Sequence, residues 1–132
     1  MSALMLYHDT YDSTGPLGSA APDLVLLHGW GLHCIVWDPL VPFLLARYRV
    51  TVIDLPGMGR SPLPNAELTQ ASIVAQLAAI APHNALWLGW SLGGELALAF
   101  AAEHPERVTG LMLIASNPCF VQKPDWPRAM PT

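Results

Sequence analysis

The 132-residue sequence has few charged residues: Asp, Glu, Lys and Arg make up only 12% of it, about half the usual share. Its six Lys and Arg residues form no run, and ten acidic residues give a net charge of −4. Binding to phosphate chains or to an anionic membrane needs a concentrated basic surface. We therefore expect neither nucleic acid nor a membrane as a partner.

Long apolar runs and a cysteine framework are also missing. Stretches such as 24–27 and 96–102 fall far short of the roughly eighteen residues that a membrane span needs. The first ten residues lack the basic and then apolar order of a secretory signal. Two cysteines, Cys34 and Cys119, cannot form a disulfide framework and suit a reducing compartment. These absences favour a soluble, cytoplasmic protein.

Apolar residues are plentiful, at 52% of the sequence. This share excludes disorder and predicts a packed core. The few charged residues leave little polar material to cover the surface of so short a domain. The composition therefore resembles the interior of something larger.

Short β-type runs alternate with longer segments of helical period. Asp23–Leu27 is almost continuously apolar, which is typical of a strand covered on both faces. The pattern predicts strands at 23–27, 49–53, 85–88 and 108–115, and helices within 36–48, at 69–81 and at 95–103. Pro39 and Pro42 are expected to confine the first helix to its later part. This alternation indicates an α/β fold with a mostly parallel sheet, whose chemistry gathers at the carboxyl ends of the strands.

The segment Gly89-Trp90-Ser91-Leu92-Gly93 matches the G-x-S-x-G nucleophile elbow and lies between a predicted strand and a predicted helix. Small residues at 89 and 93 let the two arms approach, so that Ser91 projects from a strained corner. The pattern makes Ser91 a candidate nucleophile and the Leu92 N–H the first donor to an oxyanion. The alternative is a tight turn without a catalytic role.

The earlier strand ends in His28-Gly29-Trp30-Gly31, where hydrolases with such an elbow supply the second oxyanion donor. The Trp30 N–H is the candidate for this donor. Its indole would then form a wall of the acyl pocket. The alternative is that Trp30 is an ordinary half-buried aromatic residue.

Three motifs in this order resemble the amino-terminal half of the α/β-hydrolase superfamily. They are His28–Gly31, Asp54–Ser61 and Gly89–Gly94. Within the superfamily, further strings are similar to the pimeloyl-[acyl-carrier protein] methyl ester esterases of biotin biosynthesis: Leu24–Leu32, Trp87–Gly94, His104–Val108, Ser116–Phe120 and Trp126-Pro127. The likeness extends from about Asp23 to the last residues.

The resemblance implies a three-layer α/β-hydrolase fold and a serine carboxylesterase that uses no metal or organic cofactor. It implies Ser91 as the nucleophile, Trp30 and Leu92 as oxyanion donors, and the same three residues in contact with the substrate. The implied substrate is the methyl ester of pimeloyl-[acyl-carrier protein], whose acidic carrier would dock on basic side chains that this chain has few of. Residues 1–132 would be the amino-terminal part of one domain, ending where a helical cap begins, with the last strands absent.

A serine nucleophile needs a base and a third group that orients the base, and in this fold both follow the elbow in sequence. The acidic residues after Ser91 are Glu95, Glu103, Glu106 and Asp125, and none fits. His104 is the only later histidine, but a helix of about a dozen residues places it roughly 18 Å away, as a surface cap. We therefore expect the catalytic acid and histidine to be absent from this chain.

The remaining polar residues have structural interpretations. In the resembling family the residue at His28 holds the oxyanion loop, and His33 and His83 are expected in loops, with His8 on an edge strand. Asp54 is expected to bind backbone groups at its strand end, while Arg60 and Ser61 form a solvated turn. Cys34 and Cys119 are expected to be small, wholly or partly buried side chains without metal-ligand spacing.

Without further strands, the sheet edge near Leu111 and Leu113 is expected to be uncovered and able to pair with another chain. Two other functions stay open. The elbow serves many acyl substrates, so the protein could be a different hydrolase of carboxylic esters. The same half-sheet could also be a catalytically inactive module that binds a partner.

Overall fold

A computed structural model describes residues 5–65, 67–127 and 129–131. Within these residues the chain forms a five-stranded sheet with helices on its two faces. The strands are β1 (His8–Tyr11), β2 (Asp23–Leu27), β3 (Arg49–Ile53), β4 (Ala85–Trp90) and β5 (Val108–Ile114). The α-helices are α1 (Val41–Leu44), α2 (Gln70–Ile80) and α3 (Leu92–Glu103), with 3₁₀ turns at Gly18–Ala20, Cys34–Trp37 and Pro105–Arg107.

The strand order is β1-β3-β2-β4-β5. β1 pairs with β3 in antiparallel fashion, and the other neighbours are parallel. The predicted α/β class with a mostly parallel sheet is therefore confirmed. In the parallel part, Leu27 pairs with both Ile53 and Gly89, so the carboxyl ends of these strands meet at one edge.

The core has one apolar cluster on each face of the sheet. On one face, Trp87 of β4 stacks on Phe100 of α3 with ring centroids 4.1 Å apart, and both side chains are fully buried. On the other face, alternate residues of β2 and β3 pack against Trp37 and Val41. Residues 24–27 are all buried, as expected for a strand covered on both sides.

The helix predicted within 36–48 is much shorter than its apolar period suggests. A 3₁₀ turn ends at Trp37, and α1 covers only Val41–Leu44. Pro39 and Pro42 each lack a backbone N–H, which explains the division into two short pieces. The prediction that these prolines confine the helix is confirmed, but its extension to Tyr48 is wrong.

β5 forms an edge of the sheet, and its side chains are partly uncovered. Met112, Leu113 and Ile114 are 53%, 37% and 42% exposed. Of the two residues named in the prediction, Leu113 is exposed as expected, whereas Leu111 packs against the core. Pairing with another chain at this edge stays a prediction. In the part of the chain described here, no helix has the length and apolar character to cross a membrane.

Candidate active site

Ser91 is the single residue between β4 and α3, and its backbone is strained. Its φ is 56° and its ψ is −117°, a combination that non-glycine residues rarely adopt. Such a conformation costs on the order of 1–3 kcal/mol and persists only where the surroundings impose it. β4 continues to Trp90, two residues beyond the predicted end, so the strand passes into the helix through this one residue.

Two glycines allow the sharp reversal. A side chain at Gly89 would overlap the backbone of Gly93, which lies in the first turn of α3. A side chain at Gly93 would overlap the carbonyl oxygens of Leu27 and His28 at the end of β2. The helix therefore starts in direct contact with two strand ends, which is the steric reason for both glycines in the motif.

The loop after β2 lies beside Ser91. A Cβ at Gly29 would be 3.5 Å from the Ser91 Cβ. The Leu32 N–H donates to the Gly29 carbonyl over 3.3 Å, and Gly31 has φ of 73°, as the third residue of a type II turn requires. Trp30 is at the corner of this turn and is 78% exposed. Its interpretation as an ordinary half-buried aromatic residue is therefore wrong.

Two backbone N–H groups near Ser91 are free of backbone acceptors within the described chain. Leu92 is the first residue of α3, where an N–H has no partner in the helix. Trp30 lies in the turn beside the elbow, and its N–H likewise meets no backbone carbonyl among the described residues. The structure thus brings Ser91, Leu92 and Trp30 together at the carboxyl edge of the sheet.

His28 is fully buried beneath this loop, and both of its ring nitrogens have partners. The Leu55 N–H donates to Nε2 over 2.9 Å, so Nδ1 carries the proton and donates to the Gly29 carbonyl over 2.8 Å. Burial lowers the pKa of His28 below its usual value, although the bond to Gly29 and the Asp54 carboxylate oppose this. His28 is therefore a neutral link between two strand-end loops and has no free nitrogen for a general base.

This environment predicts a pH dependence of stability. Because the pKa of His28 is lower in the folded protein, the unfolded chain takes up the proton first as pH falls. The contribution of the neutral ring is complete above about pH 6.5 and is lost as pH falls toward the folded-state pKa. We expect the urea midpoint to fall between about pH 7.5 and about pH 5.5, and the fall to be smaller in His28→Gln. His83→Gln, at an exposed loop position, is the control, and an equal fall in all three proteins would contradict this role.

Asp54 holds the neighbouring loops by hydrogen bonds to their backbone. Its carboxylate accepts from the Cys34 N–H over 2.6 Å and from the Arg60 N–H over 2.9 Å. Burial alone would raise the pKa of Asp54, but these N–H groups lower it below the usual value. The predicted structural role of Asp54 agrees with these contacts.

Ser61 is a correction to the predicted solvated turn at 60–61. Its side chain is 6% exposed, and its hydroxyl donates to the Asp54 carbonyl while accepting from the Tyr7 N–H. Arg60 is exposed as expected, with its guanidinium 2.6 Å from the Tyr7 hydroxyl. The sequence around Ser61 does not reveal this burial, because one partner of its hydroxyl, the Tyr7 N–H, lies more than fifty residues earlier in the chain.

Among the described residues, none of the other candidate side chains is hydrogen-bonded to Ser91. His104 caps the far end of α3, packs on Phe100 and is 3.6 Å from Glu106. His33 and His83 are exposed outside helices and strands, as predicted. Cys34 is buried and burial raises the pKa of its thiol to about 12, so it is no nucleophile at neutral pH. Cys119 is partly buried, in agreement with its structural interpretation.

Ser116 contacts the elbow, although the sequence assigned it no role. Its hydroxyl donates to the Ser91 carbonyl over 2.7 Å. The sequence signal for this contact is the position of Ser116 at the carboxyl end of the strand next to the elbow.

Two surface grooves, of about 630 Å³ between α2 and α3 and about 310 Å³ near Tyr7, include neither Ser91 nor Trp30.

Comparison with protein families shows a match to the alpha/beta hydrolase fold over residues 22–132. The pimeloyl-[acyl-carrier protein] methyl ester esterase of Edwardsiella ictaluri is 52% identical over 114 residues, which cover 83% of this chain and 42% of that protein. The enzyme of the same name from Aeromonas hydrophila is 49% identical, with 83% and 44% covered. The chain thus spans less than half the length of these curated relatives.

Solved structures give the same fold. An esterase from Exiguobacterium antarcticum superposes with a TM-score of 0.80 at 25% identity, covering 96% of this chain and 47% of its own. A hydrolase from Pseudomonas aeruginosa superposes with a TM-score of 0.76 at 27% identity, covering 90% and 44%.

Proposed function

Because the chain belongs to the α/β-hydrolase fold family, we propose that it forms the amino-terminal part of a serine carboxylesterase with Ser91 as nucleophile. The observation that carries this proposal is the strained Ser91 corner, held beside the N–H groups of Leu92 and Trp30, which meet no backbone carbonyl among the described residues. Strain of this kind is found where a structure imposes a functional geometry.

In the proposed reaction, Ser91 Oγ bonds to the ester carbonyl carbon while the carbonyl electron pair moves onto oxygen. The N–H groups of Leu92 and Trp30 stabilise this oxyanion, and an imidazole takes the hydroxyl proton. When the oxyanion collapses, the bond to the alkoxide breaks and the imidazole returns the proton, releasing the alcohol. Water then attacks the acyl-serine in the same way, which frees the acid and Ser91.

The imidazole and its orienting carboxylate are proposed to come from outside residues 1–132. His28 has both nitrogens engaged, and His104 lies at the opposite end of α3 from Ser91. The partly exposed apolar side chains of β5 support the same division, because they leave an edge that further structure would cover. That edge is also where we expect pairing with another chain if residues 1–132 are produced alone.

The proposed substrate is the methyl ester of pimeloyl-[acyl-carrier protein], with methanol as the released alcohol and a cytoplasmic location. The names and identities of the Edwardsiella and Aeromonas relatives support this choice. The chain has only six Lys and Arg residues with which to bind an acidic carrier. Two of them already have partners: Arg107 donates to carbonyls at the end of α2, and Arg49 is 3.5 Å from Asp12 and from Asp23. The carrier would therefore dock mainly on the rest of the enzyme.

A fusion tests this function. Residues 1–132 are joined to the carboxyl-terminal part of the Edwardsiella ictaluri relative, which gives the completed esterase. We expect it to cleave pimeloyl-[acyl-carrier protein] methyl ester with kcat/KM within about tenfold of the intact relative, a difference of roughly 1.4 kcal/mol. Methanol release and the mass of the carrier product are the measurements.

The control fusion carries the corresponding part of the Exiguobacterium esterase, which shares the fold at 25% identity. It is expected to fold without cleaving the carrier ester efficiently. If the completed esterase cleaves only simple p-nitrophenyl esters, residues 1–132 do not support cleavage of the carrier ester, and the proposed substrate is wrong. If it folds and cleaves no ester, the chain is an inactive module and the proposal is wrong.

A further inference from the structure

The strained corner at Ser91 has a counterpart on the next strand. Within the described residues, Ser91 and Ala115 are the non-glycine positions with positive φ, at 56° and 49°. Trp90 pairs with Ile114 at the ends of β4 and β5, so the two strained residues are the next positions along adjacent parallel strands. Because these two strained residues are neighbours, we examined whether the segment around Ala115 holds the backbone of Ser91 in place.

The residues on either side of Ala115 bind the backbone of Ser91. The Ser91 N–H donates to the Ile114 carbonyl over 2.9 Å. The Ser116 hydroxyl donates to the Ser91 carbonyl over 2.7 Å. Ala115, in the left-handed region, lies between the two residues that make these contacts. Its conformation allows both Ile114 and Ser116 to bind the backbone of Ser91.

Ser116 also contacts the first turn of α3. A Cβ at Gly94 would overlap the Ser116 Oγ and Cβ, so glycine at 94 is what lets Ser116 reach the elbow. The Ser91 carbonyl also accepts from the Gly94 N–H over 2.9 Å and, more weakly, from the Glu95 N–H over 3.2 Å. The Ser91 carbonyl therefore accepts hydrogen bonds both from the Ser116 hydroxyl and from the first turn of α3. This carbonyl belongs to the same peptide group as the Leu92 N–H.

We propose that Ser116 is a positioning residue for the nucleophile: its hydroxyl fixes the Ser91–Leu92 peptide, and with it the direction of Ser91 Oγ and of the Leu92 N–H. This inference rests on the proposed esterase function. In this proposal Ser116 acts through its bond to the Ser91 carbonyl and not through contact with the substrate. Its loss therefore lowers the rate of acyl transfer rather than the affinity for substrate.

Ser116→Ala in the completed esterase tests this role. Removing one hydroxyl-to-carbonyl bond is expected to lower kcat about fivefold, with KM within about twofold. Ser116→Thr keeps the hydroxyl and is expected to recover part of kcat. The matched control is Ser13→Ala, which removes another partly buried 2.7 Å bond from a serine hydroxyl to a carbonyl, at Leu45, and is expected to leave kcat unchanged.

An NMR readout separates this inference from the esterase function. The ¹³C signal of the Ser91 carbonyl and the amide signal of Leu92 are expected to shift in Ser116→Ala and to stay in place in Ser13→Ala. Unchanged signals would overturn the inference whether or not the protein is active. An unchanged kcat in Ser116→Ala, with wild-type activity intact, would also overturn it. Shifted signals in an inactive wild-type protein would support the contact and contradict the esterase function instead.

Discussion

Replacing Ser91 by alanine is expected to lower kcat of the completed esterase by at least about 10⁴-fold. The change removes the oxygen that is proposed to form the acyl bond, while Gly89, Gly93 and the first turn of α3 can keep their contacts. Only the oxyanion donors and substrate binding would remain, which typically give about 10³–10⁴ over the reaction in water. Initial rates with a p-nitrophenyl ester and with the carrier methyl ester measure the loss.

Stability provides the check on this result. Ser91→Ala keeps the strain of the positive φ at position 91 and removes only one hydroxyl group. The thermal midpoint of unfolding is therefore expected to stay close to that of the wild-type protein, although kcat is lost. Ser13→Ala serves as the active reference, since Ser13 lies in the loop after β1. A Ser91→Ala protein that keeps more than about one hundredth of the wild-type kcat would exclude Ser91 as nucleophile.

Residues 1–132 alone are expected to hydrolyse p-nitrophenyl acetate at least about 10³-fold more slowly than the completed esterase. The reason is the position of the histidines. His28 has Nε2 bound by the Leu55 N–H and Nδ1 bound to the Gly29 carbonyl. His104 is separated from Ser91 by the 12 residues of α3. A serine without a base within hydrogen-bond reach is a poor nucleophile at neutral pH.

The measurement compares initial rates at equal concentrations of folded protein, with circular dichroism as the check on folding. Adding the carboxyl-terminal part of the relative as a separate chain is expected to raise the rate, because in our proposal it provides the base and packs on β5. His104→Gln in the completed esterase is the control and should leave kcat unchanged. If residues 1–132 alone match the completed esterase, a base lies within this chain and the proposed division of the site is wrong.

The sequence predicted the parts of the fold that depend on local pattern. The four parallel strands were found because apolar runs such as 24–27 are buried on both faces. The predicted helix at 69–81 agrees with α2, whose start is fixed by a capping box between Thr69 and Ser72. The two glycines of the motif predict the position of Ser91 between a strand and a helix. The structure shows why, because a side chain at either glycine would overlap neighbouring backbone atoms.

Features that depend on distant contacts could not be read in this way. Ser61 is buried because Tyr7 and Asp54 bind its hydroxyl. Ser116, just after β5, binds the Ser91 carbonyl at the end of the adjacent strand β4. The exposure of Trp30 has a local cause instead: it lies at the corner of the turn that the Leu32 N–H and the Gly29 carbonyl close, and the residue type alone does not predict this exposure. The antiparallel β1 was indicated only through His8, because four residues carry little period.

The most direct test of the central claim is a crystal structure of the completed esterase after reaction with a fluorophosphonate. We expect phosphorus bonded to Ser91 Oγ and its free oxygen within about 3 Å of both the Trp30 and the Leu92 nitrogen atoms. An adduct on another residue, or a phosphonyl oxygen directed away from both N–H groups, would contradict the proposed site.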